Sequence, residues 1–309
     1  MKILMQTARA QIEDIGDRTA ALRFIGETDS ATASWAADAL SQLENDMDAF
    51  VITSADGFFG KGYDANEIKS LTQEGNWDGL DKLSACFQNL TETIRRLSKP
   101  VTAAVNGLAM DFGVELAMSC DAICEAEAEY GFGAGKNGFP LMGGGLSEIA
   151  LNTYGISADV PGLDVVPLLK RVYQCLYMSP PCKGFTEAVK KGLPLKGTQI
   201  CGEADLLEKS KREALHLFVQ GYEPQTKDRV VMVTGTTGTA ALEIMAINMR
   251  YGNFISEQLL ETAAGIAWVL GGGDVPKNTL VPESRLLACE REAFVSACKR
   301  STQRKGESA

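Results

Sequence analysis

Short apolar runs alternate with helix-spaced segments through the first third of the chain. Ala20–Phe24 is a mostly apolar run that soon meets Gly26, while Ala49–Thr53 (AFVIT) and Val101–Val105 (VTAAV) read as buried strands. Ser30–Leu43 sets Trp35, Ala36, Leu40 and Leu43 at helical spacing, and Leu83–Leu97 lines up Leu83, Phe87, Leu90, Ile94 and Leu97 on one face. Pro100 closes that second helix, because the residue before a proline avoids the helical region. Asn106-Gly107 then reads as a turn, Val114–Met118 as a helix beginning near Gly113, and Ala122–Ala126 as a strand. This alternation predicts an α/β fold with crossover connections.

The middle of the chain changes character. Tyr130–Gly145 carries glycines at 131, 133, 135, 138, 143, 144 and 145, a density expected where backbone approaches backbone or ligand closely. Val160–Leu195 is mixed and broken by Pro161, Pro167, Pro180, Pro181 and Pro194. Beyond about residue 200 the pattern is mainly helical, with Ala240–Arg250, Glu257–Leu270 and Glu283–Lys299 at helical apolar spacing. Ser301–Ala309 is polar and expected to fray.

Composition narrows the partners. Forty Asp and Glu against 30 Lys and Arg give a net charge of −10, which argues against nucleic acid or an anionic membrane as partner. The longest stretch free of charged residues, Val230–Leu242, is too short for the roughly 20 apolar residues of a membrane helix. The opening MKILMQTARAQIED has no long apolar core, so no secretory signal is expected, and the chain reads as cytoplasmic. Its eight cysteines are scattered without a CxxC pair and read as reduced thiols. Cys120 and Cys124 lack companion ligands, so no metal is expected. The single histidine, His216, reads as a helix-surface residue, and no GxSxG surrounds a serine, which sets aside serine and cysteine hydrolase mechanisms.

Two segments could carry chemistry. In Gly107–Asp121 a strand ends and a helix begins near Gly113, leaving first-turn N–H groups free for an anion or a developing oxyanion. Glu115 lies in that first turn among apolar neighbours, either as an acid–base group of raised pKa or as a solvated residue complementing the helix dipole. The earlier loop, Phe58–Asn66, follows a buried strand, and Gly60 and Gly62 allow the Tyr63 amide to point into a cleft. Val230–Ala240 has a strand, a glycine turn and a helix, but neither GxGxxG nor GK[ST]; it reads as the turn leading into a helix. Gly271–Gly273 reads as a helix cap.

These segments resemble the crotonase (enoyl-CoA hydratase/isomerase) superfamily. The match comprises Phe59-Gly-Lys-Gly-Tyr-Asp64, then Lys99-Pro100 through the apolar strand, Asn-Gly and Glu-Leu-Ala to Asp121, and Pro140-Leu-Met-Gly-Gly-Gly145. The C-terminal run, INMRYGNFISE through CEREAFVSAC, is similar to the hydratase portion of bacterial bifunctional 3-hydroxyacyl-CoA dehydrogenase/enoyl-CoA hydratase proteins. The resemblance implies a crotonase-like ββα spiral with a C-terminal helical region. It divides the chain into an acyl-CoA domain over residues 1–200 and a helical region over 201–309 for packing and oligomerisation. It places an oxyanion hole at the amides of Tyr63 and Phe112, aligns Glu115 with the first hydratase glutamate, and implies an acyl-CoA thioester substrate. Coenzyme A then enters only as part of the substrate, with no separate cofactor. A homo-oligomer (trimer or hexamer) and a dehydrogenase subunit are the expected protein partners.

The chain departs from the family pattern in two places. The usual Gly-Gly-Gly before the glutamate is Asp111-Phe112-Gly113, and the second hydratase glutamate is replaced by Ala134. Asp111 therefore joins Glu115 as a candidate catalytic residue. The expected chemistry is hydration or isomerisation of an enoyl-CoA through an enolate. The alternatives are other enolate reactions (thioester hydrolysis, C–C cleavage, decarboxylation) or a catalytically reduced acyl-CoA-binding subunit.

Overall fold

A computed structural model describes residues 2–307 apart from Asp56, Pro161 and Lys227; the proline break predicted at 161 lies outside these. A mixed sheet forms the frame. Strands β1 (Lys2–Gln6), β2 (Ala10–Asp14) and β3 (Thr19–Phe24) make an antiparallel meander, and β4 (Ala49–Ser54), β5 (Val101–Met110) and β6 (Ala122–Gly131) follow in parallel. At the far edge, β6 pairs antiparallel with β7 (Cys182–Lys183) and parallel with β8 (Thr198–Ile200). The crossovers are α1 (Ser30–Leu43), then α2 (Ala65–Gln73) with α3 (Trp77–Arg96), then α4 (Phe112–Ser119). AFVIT of β4 is buried along its length, as the uniformly apolar run requires of a strand covered on both faces.

Helix starts follow local side-chain chemistry. Asp29 accepts the Thr32 N–H at α1, and Asp64 accepts the Asn66 and Glu67 N–H groups at α2. After β6 come α5 (Ala134–Asn137), α6 (Gly145–Asp159), α7 (Val166–Met178) and α8 (Gly184–Lys190). Pro167 falls in the first turn of α7, where its missing N–H costs nothing, so it opens a helix rather than breaking one.

Two expectations need correction. Asn106-Gly107 does not turn the chain: β5 runs through it to Met110, and the register with β6 slips between Asn106 and Leu108. Gly107 sits at φ +65°, and a side chain there would meet the Gly57 carbonyl oxygen at 2.0 Å. A close backbone approach therefore fixes a bulge where the dipeptide alone suggested a reversal. The polar tail from Ser301 does not fray: the last helix continues to Glu307, and Arg300 and Arg304 both pair with Glu261. The region after residue 200 is mainly helical, as the pattern predicts, with one short ribbon added. It holds α9 (Leu206–Val219), β9 (Val230–Val233), α10 (Gly235–Tyr251), α11 (Glu257–Gly271), β10 (Thr279–Pro282) and α12 (Glu283–Glu307), with β9 and β10 paired as a ribbon.

Nor does that region carry a core of its own. Leu242, Ala263, Ile266, Leu270, Leu286 and Phe294 join Leu40, Phe87 and Leu146 in one apolar cluster. Helix α9 covers the opposite sheet face, where Leu206 packs with Ala21, Val51, Ala104, Cys124 and Ala126. Residue 200 marks the end of the sheet, not a division between cores. No helix among the described residues is long and apolar enough to cross a membrane.

A buried charge network ties these parts together. Arg229 donates to Glu148 at 3.2 and 2.6 Å and to Glu283 at 3.2 and 2.8 Å, while Arg95 lies 3.7 Å from each. Burial alone would raise the Glu148 carboxyl, but the two guanidiniums outweigh it and hold it below its ordinary value. Removing one partner leaves buried charge uncompensated, so Arg229→Ala should cost about 3–5 kcal/mol. Urea unfolding should show the midpoint falling with an unchanged slope.

Candidate active site

The loop after β4 and the loop after β5 meet through their main chains. A Cβ on Gly113 would stand 2.1 Å from the Phe59 carbonyl oxygen, and one on Gly60 would stand 2.9 Å from the Gly113 Cα. Only glycine at both positions permits this approach. It brings Gly62-Tyr63 beside Met110-Asp111. Among the described residues, neither the Tyr63 nor the Phe112 N–H donates a hydrogen bond. The Tyr63 and Phe112 rings pack with centroids 5.7 Å apart, and Phe87 closes edge-on against both.

A cavity of about 590 Å³ opens against this junction. Gly62, Tyr63, Met110, Asp111 and Gly133 form its inner wall; Ala65, Ile68, Lys69 and Thr72 of α2 face Ala297, Cys298, Ser301 and Thr302 of α12 across it. Glu27 and Lys61 stand at the exposed rim, with the Lys61 ammonium 5.2 Å from the Phe58 ring centroid. Phe112 and Glu115 do not line the cavity.

The two candidate carboxylates therefore occupy different places. Asp111 is buried at the cavity wall. Its Oδ1 accepts the Gly133 N–H at 2.7 Å and its Oδ2 the Asn137 amide at 3.0 Å. Burial pushes its carboxyl up to about 6, against the opposing pull of these two bonds. Its backbone sits at φ +45°, ψ −102°, a region that costs a non-glycine residue about 1–3 kcal/mol. The strain coincides with the position where the family pattern has glycine.

Glu115 is only 1% exposed, which rules out the solvated first-turn alternative. All eight residues of α4 are buried. One Glu115 oxygen accepts the N–H groups of Gly143 (3.0 Å) and Gly145 (2.8 Å); the other accepts the Tyr63 hydroxyl. The Met142 N–H donates to that same hydroxyl at 3.1 Å. Burial, and then the nearby Glu290, push the Glu115 carboxyl well above its ordinary value.

Glu290 went unread in the sequence. It is fully buried on α12 and accepts from the N–H groups of Gly144 (3.0 Å), Leu146 (3.4 Å) and Ser147 (3.0 Å) and from the Ser147 hydroxyl (2.7 Å). Its signal was an acid flanked at helical spacing by Leu286, Leu287, Ala293 and Phe294. Ala134, where the family has its second glutamate, opens α5 directly after the Gly133 amide that Asp111 holds. The Asp111 carboxylate thus lies against the segment that lacks one. Glu127 and Glu129 lie on β6. His216 is exposed near the end of α9. Among the described residues no cluster of three or more His, Cys, Asp or Glu is placed to hold a metal ion.

Residues 30–158 match a family model described as Enoyl-CoA hydratase/isomerase. Over 300 residues the chain is 29% identical to a probable 3-hydroxyacyl-CoA dehydrogenase of Bacillus subtilis (strain 168), covering 95% of this chain but 37% of that protein. It is 31% identical over 137 residues to the short-chain-enoyl-CoA hydratase of Clostridium acetobutylicum, covering 39% of this chain and 51% of that one. The matches thus span about a third to a half of these relatives. Among solved structures, the enoyl-CoA hydratase from Bacillus halodurans is similar, with TM-score 0.59, 13% identity and coverage of 94% and 96% of the two chains. A putative enoyl-CoA hydratase/isomerase from Acinetobacter baumannii gives 0.57, 16%, 96% and 95%. At such identities the likeness speaks for the fold.

The Asp111 carboxyl has a thermodynamic signature. The folded chain keeps a proton that the unfolded chain loses above the ordinary aspartate value of about 3.9. Stability should therefore fall as pH rises from about 4 to about 6, by up to about 3 kcal/mol from this group, and level off above. Asp111→Asn should remove that slope in urea unfolding measured across the window.

Proposed function

We propose that this chain, whose residues 30–158 match the Enoyl-CoA hydratase/isomerase family model, works as a crotonase-type enzyme and shifts the double bond of an enoyl-CoA through an oxyanion-stabilised enolate. The observation that carries this reading is Asp111, a buried carboxylate at the inner wall of the cavity beside Tyr63. The Tyr63 N–H at the cavity wall is the first candidate donor to the thioester oxygen, where charge develops as a proton leaves the α- or γ-carbon, and the unbonded Phe112 N–H, on the peptide that follows the wall residue Asp111, is the second. Asp111 takes that proton and returns it to the other carbon. A carboxyl near 6 suits both halves of such a transfer.

Isomerisation is favoured over hydration by the position of Glu115. Water addition in the two-glutamate scheme uses two carboxylates on one substrate. Here Glu115 lies behind the Tyr63 hydroxyl and off the cavity wall, and Ala134 offers no acid. Glu115 then serves as the anchor that keeps Tyr63 in place. Lys61 and Lys69, at the rim, are candidate partners for the phosphates of coenzyme A. A dehydrogenase partner belongs to the same reading, since the Bacillus subtilis relative bears a dehydrogenase name and extends well beyond the matched part.

The test offers the purified chain 3-enoyl-CoA and 2-enoyl-CoA thioesters of several lengths. Conjugation of the 3-enoyl substrate should outpace hydration of the 2-enoyl one. Its kcat/KM should rise with pH through an apparent value near 6, set by Asp111 as base. Asp111→Asn should lower turnover by about 10²- to 10⁴-fold while acyl-CoA binding survives. Hydration that dominates and is indifferent to Asp111→Asn would sink this reading.

A further inference from the structure

We propose that Glu290 is a positioning residue for the site: from the far side of the 143–147 turn it fixes the amides that hold Glu115, and through Glu115 it holds Tyr63 at the cavity wall. The proposal rests on the functional reading above for its effect on turnover, and on geometry for its mechanism.

Five successive N–H groups open α6, and two buried carboxylates divide them. Glu115 takes those of 143 and 145; Glu290 takes those of 144, 146 and 147. A change in how Glu290 holds its share rotates the peptide planes that Glu115 holds, because the two sets alternate along one chain. The next link is direct, since Tyr63 donates to Glu115 and receives from Met142, the residue before the turn. Tyr63 then lines the cavity.

Charge links the two acids as well. A helix N-terminus offers the equivalent of about half a positive charge. Two carboxylates sharing it in a water-free interior favour one proton between them. Glu290, with four donors including the Ser147 hydroxyl, is the better-satisfied anion; Glu115 has three. The other charged groups near this end of α6, Arg95, Arg229, Glu148 and Glu283, pair with one another. Glu115 is therefore the acid that keeps the proton.

Infrared difference spectroscopy and kinetics test this together. At a pH well above 6, the wild-type chain should show the carbonyl stretch of one buried carboxylic acid. That band should vanish in Glu115→Gln and shift in Glu290→Gln, where Glu115 keeps its burial but loses its charged neighbour and the amides that neighbour orders. Glu290→Gln should lower kcat about tenfold, with KM for the acyl-CoA within about twofold. Arg291→Gln, on the same helix but bonded to Asp81 and Gln88, should leave both band and kcat unchanged. If Glu290→Gln does not fold, Ser147→Ala removes one donor only; it should shift the band and lower kcat about two- to fivefold. An unmoved band in folded Glu290→Gln, wild-type kcat in that variant, or an unmoved band and kcat in Ser147→Ala each overturns the proposal. The band is read without substrate, so a parent chain with no enoyl-CoA turnover would defeat the functional reading and leave this test decisive.

Discussion

The start of α6 is where the structure is held together. A helix begins with N–H groups that have no partner within it, and here that beginning is buried. Water cannot satisfy it, so side chains must. Glu115 arrives from α4 and Glu290 from α12. The carbonyls of the same stretch are met from α3, by the Ser84 hydroxyl on Met142 and the Thr91 hydroxyl on Gly143. Three helices distant in sequence converge because one short glycine turn would otherwise be a buried polar defect. The cavity wall is fixed relative to that convergence through the Tyr63 hydroxyl.

The site itself is built at a cost. Asp111 combines a strained backbone with a desolvated carboxyl. Neither is explained by packing, since glycine would fill the loop without strain. Such residues persist where surrounding contacts over-determine them. Gly133 and Asn137 supply two of those contacts. The segment that lacks a glutamate thus donates the hydrogen bonds that hold the Asp111 carboxylate.

Much of this was legible in the sequence where one signal dominated. Ser30–Leu43 was read to its ends because the apolar period and the polar flanks agree. The AFVIT strand was legible because the run is short, apolar and rich in β-branched residues, as a strand covered on both faces requires. Strands β1 and β2 escaped, the first being largely exposed and without clean alternation. The Asn106-Gly107 bulge was misread because local chemistry is the same for a turn and a bulge; a distant residue, Gly57, decides. At the site, the sequence placed Tyr63, Asp111 and Glu115 in one neighbourhood. It did not tell which acid meets the cavity, because α4 is apolar on every side and offers no polar face to orient it. Glu290 escaped because its partners lie far back along the chain.

That separation bears on how the molecule is made. Glu290 and Gly144 are 146 residues apart, yet they share a hydrogen bond at the heart of the fold. On a ribosome, the sheet and the glycine turn emerge long before α12 does. Until α12 arrives, the nascent chain lacks the Glu290 half of that cap and the cover that α12 gives α3 and α6. Contacts of such long range slow folding and leave intermediates exposed. Helix α12 is thus the element that completes the cap at the start of α6.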